Sequence, residues 1–227
     1  MAELKWLGHS SFELKLANGE TYLLDPWLDN PKAPAGYKPE RLDGILLSHG
    51  HGDHIGSVVA LAAELGAPVV GIYDLIAWLE TKGVRRGLGM NKGGSAQVGS
   101  LRVTLVFASH SSTTIDNGQF VALGDPCGLI LASEGMPVIY FAGDTDVFGD
   151  MRLIAELYQP EIAMLPIGDL YTMGPRQAAL ACRLIGPKKV IPMHYGTFGA
   201  LTGTPEELAR LVDCEVIAPE PGGVVVL

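Results

Sequence analysis

The chain has 227 residues, 48% of them hydrophobic, which is enough to bury a sizeable core, and a formal charge of −9 at pH 7. Lys and Arg gather only in short pairs such as Arg85-Arg86 and Lys188-Lys189, so no basic footprint for a polyanion exists and nucleic acid is not an expected partner. Three widely spaced cysteines, Cys127, Cys182 and Cys214, form no CxxC pair and read as reduced thiols.

The opening MAELKWLGHSSFELKL carries neither a basic n-region nor a long apolar h-region, so a secretory signal is not expected there. Charges such as Glu64, Asp74 and Asp125 break the apolar stretches before they reach membrane-spanning length. A cytoplasmic protein without a membrane span is the expectation. The 29 glycines and 15 prolines are scattered as turns rather than gathered in a linker, which predicts one domain over residues 1–227.

In chain order, Lys5 to Leu16 and Thr21 to Asp25 read as strands joined at Asn18-Gly19, a dipeptide suited to tight hairpin turns. A short apolar strand over Gly44 to Ser48 is followed by a helix over Ile55 to Leu65, a strand over Pro68 to Tyr73 and a helix over Leu75 to Lys82. A glycine-rich loop, Gly87 to Gly94, leads into an alternating strand from Leu101 to Ser109. Strands Leu129 to Ala132 and Val138 to Ala142 flank a turn at Gly135, then come a helix from Val147 to Tyr158 and a strand from Ile162 to Ile167. Helix Arg176 to Ile185, strand Val190 to Met193, helix Pro205 to Val212 and a closing hairpin through Gly222-Gly223 complete the chain. Mixed strand and helix order with hairpins at both ends predicts two sheets face to face with helices outside, a four-layer αββα sandwich of the α/β class with mixed sheets.

The chemistry is concentrated in Ser48-His49-Gly50-His51-Gly52-Asp53-His54, where four imidazole or carboxylate groups fall within six residues after an apolar strand. The two glycines let the backbone turn tightly enough for these side chains to converge. Nitrogen and oxygen donors without thiolates suit zinc, manganese, iron or nickel in a water-accessible site rather than a structural zinc. His110, Asp144 and His194 each follow a further apolar strand, so separate strands deliver candidate ligands at their carboxyl ends, where one crevice can collect them. Taken alone, Asp144 would equally serve as a helix cap.

These motifs, HxHxDH from His49 to His54, a later His, Gly143-Asp144-Thr145 and a last His, resemble the metallo-β-lactamase superfamily over nearly the whole chain. Gly8-His9-Ser10, Leu24-Asp25-Pro26, Pro166-Ile167-Gly168-Asp169 and Met173-Gly174-Pro175 look like a compact branch of metal-dependent hydrolases within it. That branch is similar to the ascorbate-phosphate lactonases and the N-acyl-phosphatidylethanolamine phospholipases. The resemblance implies two divalent ions, zinc foremost with manganese, iron or nickel as alternatives. His49, His51 and His110 would hold the first, Asp53, His54 and His194 the second, and Asp144 would bridge them.

Two cations about 3.5 to 4 Å apart can share a hydroxide at neutral pH, which would attack a small ester, lactone or phosphodiester. Asp53 is the catalytic candidate, orienting the nucleophile and passing a proton to the leaving group. Asp25 reads as an acceptor that orients a ligand histidine, against the plain reading of a turn aspartate before Pro26. His9, the remaining histidine, reads equally as a substrate or supporting contact and as a structural hydrogen bond. Asp169, Thr172, Met173 and Tyr195 are pocket candidates by resemblance only, and Ser111 to Thr114 reads as a loop fixing His110.

The expected partner is a small-molecule substrate, and a homo-oligomer is compatible with the sequence. Three alternatives share the motif. An RNA-processing nuclease needs a basic surface that is missing here. An oxygen-reducing di-iron protein typically brings a Glu ligand and a fused flavin module for which 227 residues leave no room. A non-catalytic metal-binding protein would keep the site without turnover.

Overall fold

The computed structural model describes residues 1–227. The first half comprises β1 (Glu3–Trp6), β2 (Phe12–Lys15), β3 (Thr21–Leu24), β4 (Gly44–Leu46), α1 (Gly52–Ile55), α2 (Val58–Leu65), β5 (Val69–Ile72), α3 (Tyr73–Thr81), β6 (Gly87–Met90), β7 (Ser95–Val98) and β8 (Leu101–Phe107). It is followed by β9 (Thr113–Asp116), β10 (Gln119–Ala122), β11 (Cys127–Ala132), β12 (Ile139–Phe141), α4 (Met151–Tyr158), β13 (Ile162–Pro166), α5 (Pro175–Ile185), β14 (Lys189–Met193), α6 (Pro205–Ala209), β15 (Glu215–Val216) and β16 (Val224–Val226).

Two seven-stranded sheets form, in the orders β16-β1-β2-β3-β4-β5-β6 and β15-β14-β13-β12-β11-β8-β7, and β9 and β10 make a separate two-stranded ribbon. The largest apolar cluster draws on both sheets, with Phe12 of β2 meeting Phe141 of β12 edge to face at 6.4 Å. A second cluster covers the outer face of the β14-bearing sheet with residues of α4, α5 and α6, and a third covers the other sheet with residues of α2 and α3. Helix, sheet, sheet, helix is therefore the layer order, the αββα sandwich expected from the element pattern. No helix is long and apolar enough to cross a membrane.

The strand directions explain why one edge of the sandwich gathers the polar side chains. β1 and β3 both run antiparallel to β2, while β3, β4 and β5 run parallel to one another. In the other sheet β8 and β12 both run antiparallel to β11, and β12, β13 and β14 are parallel. Like-directed strands end at one rim of each sheet, and the residues following β1, β3, β4, β8, β12 and β14 include His9, Asp25, His49, His110, Asp144 and His194.

Several elements differ from the sequence reading. Lys5 to Leu16 is not one strand: Gly8 and His9 take positive φ angles of 87° and 52°, reversing the chain so that β1 and β2 pair antiparallel. The helix expected from Ile55 splits into α1 and α2, and α1 begins at Gly52, so Asp53 and His54 stand on a helical turn rather than on a loop. The helix expected from Val147 begins at Met151 with Asp150 as its N-cap, leaving Asp144 outside any capping position. Half of the Gly87 to Gly94 loop is β6, whose small residues let it lie against α3. Gly222-Gly223 does not close a hairpin, because β15 adds to β14 in one sheet and β16 adds to β1 in the other.

Candidate metal centre

His49, His51, His110 and Asp144 present ligand atoms within 4.8 Å of one another, and so do His9, Asp53, His54 and His194. One atom lies between the two groups. Asp144 Oδ2 is 3.9 Å from His49 Nε2 and 3.6 Å from His110 Nε2 on one side, and 3.3 Å from His54 Nε2 and 3.1 Å from His194 Nε2 on the other. Asp53 Oδ2 lies 4.0 Å from His54 Nε2 and 3.8 Å from His194 Nε2. The structure thus brings together all seven residues expected to hold metal, and adds His9 at 3.0 Å from Asp53 Oδ2.

The donor set fits cations better than it fits a closed hydrogen-bond network. His54 Nε2 and Asp144 Oδ1 are buried without a hydrogen-bond partner, a costly state that a bound ion relieves. His49 Nε2 and His51 Nδ1 converge to 2.9 Å, turning two lone-pair positions toward one point. His194 Nδ1 is also unpartnered, so this imidazole, unlike His49 and His54, has no acceptor fixing its ring from behind.

Asp25 governs the orientation of one imidazole in each group. It is fully buried, and its Oδ2 accepts from His54 Nδ1 at 2.8 Å and from Ser48 Oγ at 2.5 Å. Ser48 Oγ in turn lies 2.9 Å from His49 Nδ1 and accepts from it, because its own proton goes to Asp25. Both rings thereby donate from Nδ1 and are oriented with Nε2 facing Asp144. His51 has the opposite arrangement, Nδ1 inward and Nε2 3.3 Å from Ser111 Oγ. Ser112 Oγ accepts from Gly50 N at 3.0 Å, so the segment after His110 braces the glycine-spaced run.

Backbone strain is concentrated here. Of seven non-glycine residues with positive φ, five are His9, Asp25, Asp169, Leu170 and His194, all just beyond strand ends. Gly143 (φ 61°) is required by close approach, since a Cβ there would stand 2.5 Å from Ser48 Cβ. Gly143→Ala should cost about 2–5 kcal/mol, adding the αL penalty to overpacking, and should displace Ser48 from His49. Urea denaturation of the metal-free variant measures the first effect.

His9 is fully buried, with Nδ1 2.9 Å from Thr197 Oγ1, and its carbonyl accepts from Trp6 Nε1 and from the amide of His194. Burial lowers its pKa to about 4, so the ring is neutral, donating from Nε2 to Asp53 and accepting from Thr197 at Nδ1. Burial pushes the Asp53 carboxyl up, but the His9 hydrogen bond and the nearby His54 outweigh it and hold the group well below the usual range.

For His54, burial disfavours the cation, yet the Asp144 and Asp25 carboxylates raise its pKa well above 6.5. The metal-free protein therefore carries a proton on His54 at neutral pH that a cation must expel. Metal affinity should rise with pH, with a slope near one proton from this residue, until the raised pKa is passed. Calorimetric titration in buffers of different ionisation enthalpy counts the released protons, and a count of zero would contradict this.

The remaining candidates divide. Asp169 is exposed and its carboxylate accepts only from the amide of Leu170, and Thr172 Oγ1 donates to the Met173 carbonyl. The Met173 side chain is buried in the apolar cluster under α5, and its amide donates to the Thr145 carbonyl. Tyr195 stacks on Trp6 at 5.2 Å. Ser48 and Thr197 are supporting residues to which the sequence reading gave no role, although each adjoins a histidine motif.

A sequence model of the Beta-lactamase superfamily domain matches residues 20–195. A UPF0173 metal-dependent hydrolase of Solibacter usitatus is 50% identical over 224 residues, covering 97% of each chain. One of Koribacter versatilis is 47% identical, covering 97% of this chain and 96% of its own. The structure of a metallo hydrolase from Ignicoccus hospitalis superposes with a TM-score of 0.88 at 35% identity, covering 99% of this chain and 97% of that one. With its fold and its clustered His and Asp side chains, the chain belongs to the β-lactamase superfamily, among its metal-dependent hydrolases.

Proposed function

We propose that the protein is a binuclear hydrolase of small esters, lactones or phosphodiesters, with His49, His51 and His110 holding one divalent ion, Asp53, His54 and His194 the other, and Asp144 shared. Zinc is our first choice, with manganese, iron or nickel as alternatives, since nitrogen and oxygen donors accept all of them. The observation that carries this reading is the position of Asp144 Oδ2, within 4 Å of ring nitrogens from both groups. When bound, the ions would supply a hydroxide nucleophile at neutral pH and polarise the oxygen of the scissile group.

The protein's own residues supply position and charge. Asp25 and Ser48 fix two of the imidazoles, and the low pKa of Asp53 suits a carboxylate that orients the attacking water rather than a general acid. His9 Nε2 donates to Oδ2 of that carboxylate, the oxygen that also faces His54 and His194. Metal analysis of natively purified protein, followed by assays with the metal found on lactone, ester, thioester and phosphodiester panels, tests the assignment. The double variant His49→Ala, His51→Ala should lose one ion and all measurable turnover while keeping its circular dichroism spectrum; unchanged turnover would refute the reading.

A further inference from the structure

We propose that Trp27 and Phe198 form the subsite for an apolar part of the substrate, which makes that substrate a carboxylic ester or lactone with an aliphatic or aromatic group beside the scissile bond. This rests on the hydrolase reading above and narrows it.

The two rings adjoin the candidate centre. Phe198 lies 5.8 Å from the His9 ring and 5.9 Å from Trp27, while Trp27 meets the His9 ring edge-on at 5.4 Å. His9 in turn contacts Asp53 at 3.0 Å and has its ring centroid 4.0 Å from that of His194. Trp27 also packs over Gly56, three residues beyond Asp53, where a Cβ would meet its Cδ1 at 2.9 Å. The aromatic pair is thus continuous with the group we assign to the second ion.

Both rings are rigidly mounted yet open to solvent. Phe198 is 40% exposed although its neighbour Thr197 is buried and bonded to His9, and hydrogen bonds of Gly196 and Leu201 close the loop around it. The half-buried Trp27 has its amide on Ser11 Oγ, and its carbonyl accepts from Asn30. On the loop after β13, whose Gly168 packs against the His194 carbonyl, Leu170 and Tyr171 are 64% and 59% exposed. Large apolar side chains gathered at the mouth of a polar site suit an apolar part of a ligand.

Charge points the same way. The carboxylates of Asp25, Asp53 and Asp144 form ion pairs only with histidines, and the Lys32 ammonium lies over the rings of Trp6 and Tyr195 at 5.5 and 4.9 Å. Lys32 lies against Gly196 on this loop, but its ammonium is engaged over Trp6 and Tyr195 and offers no bidentate fork to an anionic headgroup, whereas an alkyl or aryl group finds two ring faces.

The test uses the metal-loaded full chain and p-nitrophenyl acetate, butyrate, hexanoate and octanoate. We expect kcat/KM to rise two- to fourfold for each added methylene over the first carbons, mainly through KM, as partial to full methylene burial implies. Phe198→Ala should reduce the octanoate-to-acetate ratio at least tenfold, and Lys32→Met should leave that ratio unchanged. Octanoate should shift tryptophan emission to the blue in the wild type and not in Trp27→Leu. An enzyme active on the whole series without a chain-length trend overturns the subsite alone. Preference for a succinyl ester that Lys32→Met abolishes overturns it in favour of an anion. A metal-loaded protein inactive on every ester overturns the ester assignment itself.

Discussion

Asp144→Asn should lower kcat/KM by about a thousandfold and leave less than the full metal complement after gel filtration. The carboxylate is the one group within 4 Å of both sets of imidazoles, and as a buried anion it balances the charge that any pair of dications brings. Burial pushes its pKa up, but His194 and His54 outweigh that and hold it well below 3.8. Asparagine keeps the shape and removes the charge, so a fold-only role would leave activity intact. A Lewis-acid ion contributes several kcal/mol to transition-state stabilisation, and 1.36 kcal/mol is tenfold in rate, so loss of one ion gives roughly three decades. In the metal-free state the same substitution removes a carboxylate that raises the His54 pKa, so proton release on metal loading should also fall. Metal analysis beside steady-state kinetics separates this from general unfolding.

What the sequence made legible was whatever repeats an apolar run followed by a polar residue. β4, β12 and β14 are short buried strands and β8 is a longer alternating one, and His49, His110, Asp144 and His194 stand just past them, so the candidate positions could be read from hydropathy and residue type together. The β9–β10 ribbon was missed for the opposite reason. Its strands Thr113–Asp116 and Gln119–Ala122 are exposed or half-buried throughout, and no alternation marks them. The signal that would have found them is Asn117-Gly118, both at positive φ, a dipeptide of the kind that favours tight hairpin turns.

Met173 shows the limit of resemblance: a motif position says that the residue is near the site, while packing sends its side chain into the α5 cluster and leaves only its amide on Thr145. Ser48 and Thr197 were invisible because each acts through contacts between distant segments, Ser48 with Asp25 and Thr197 with His9, and no spacing rule encodes a contact such as His9 to Thr197, 188 residues apart. The reversal at His9 was hidden by flanking strands of similar hydropathy. Its positive φ belongs to the tertiary role, because the turn places one residue's ring on Asp53 and its carbonyl on the amide of His194.

Asp25→Asn should weaken metal binding 10- to 100-fold and lower thermal stability, although the backbone has every reason to accept it. Asp25 sits at φ 42°, a conformation asparagine adopts about as readily as aspartate, so the substitution separates the turn from the acceptor. Three donors converge on this carboxylate: the Ser48 amide at 2.7 Å, the Ser48 hydroxyl and His54 Nδ1. An amide has one oxygen and turns an NH₂ toward at least one of those donors, leaving a buried donor unpaired at about 1–3 kcal/mol. At about 2–4 °C per kcal/mol for a chain of this size, the metal-free melting temperature should fall by roughly 2–12 °C. Loss of the buried charge also frees the His54 and His49 rings to rotate or change tautomer, and the 10- to 100-fold weakening is typical when an orienting acceptor of a ligand histidine is removed. Competition with a chromophoric chelator measures affinity independently of turnover. Wild-type affinity in Asp25→Asn would mean that the residue serves the turn before Pro26 and that the imidazoles are fixed by packing alone.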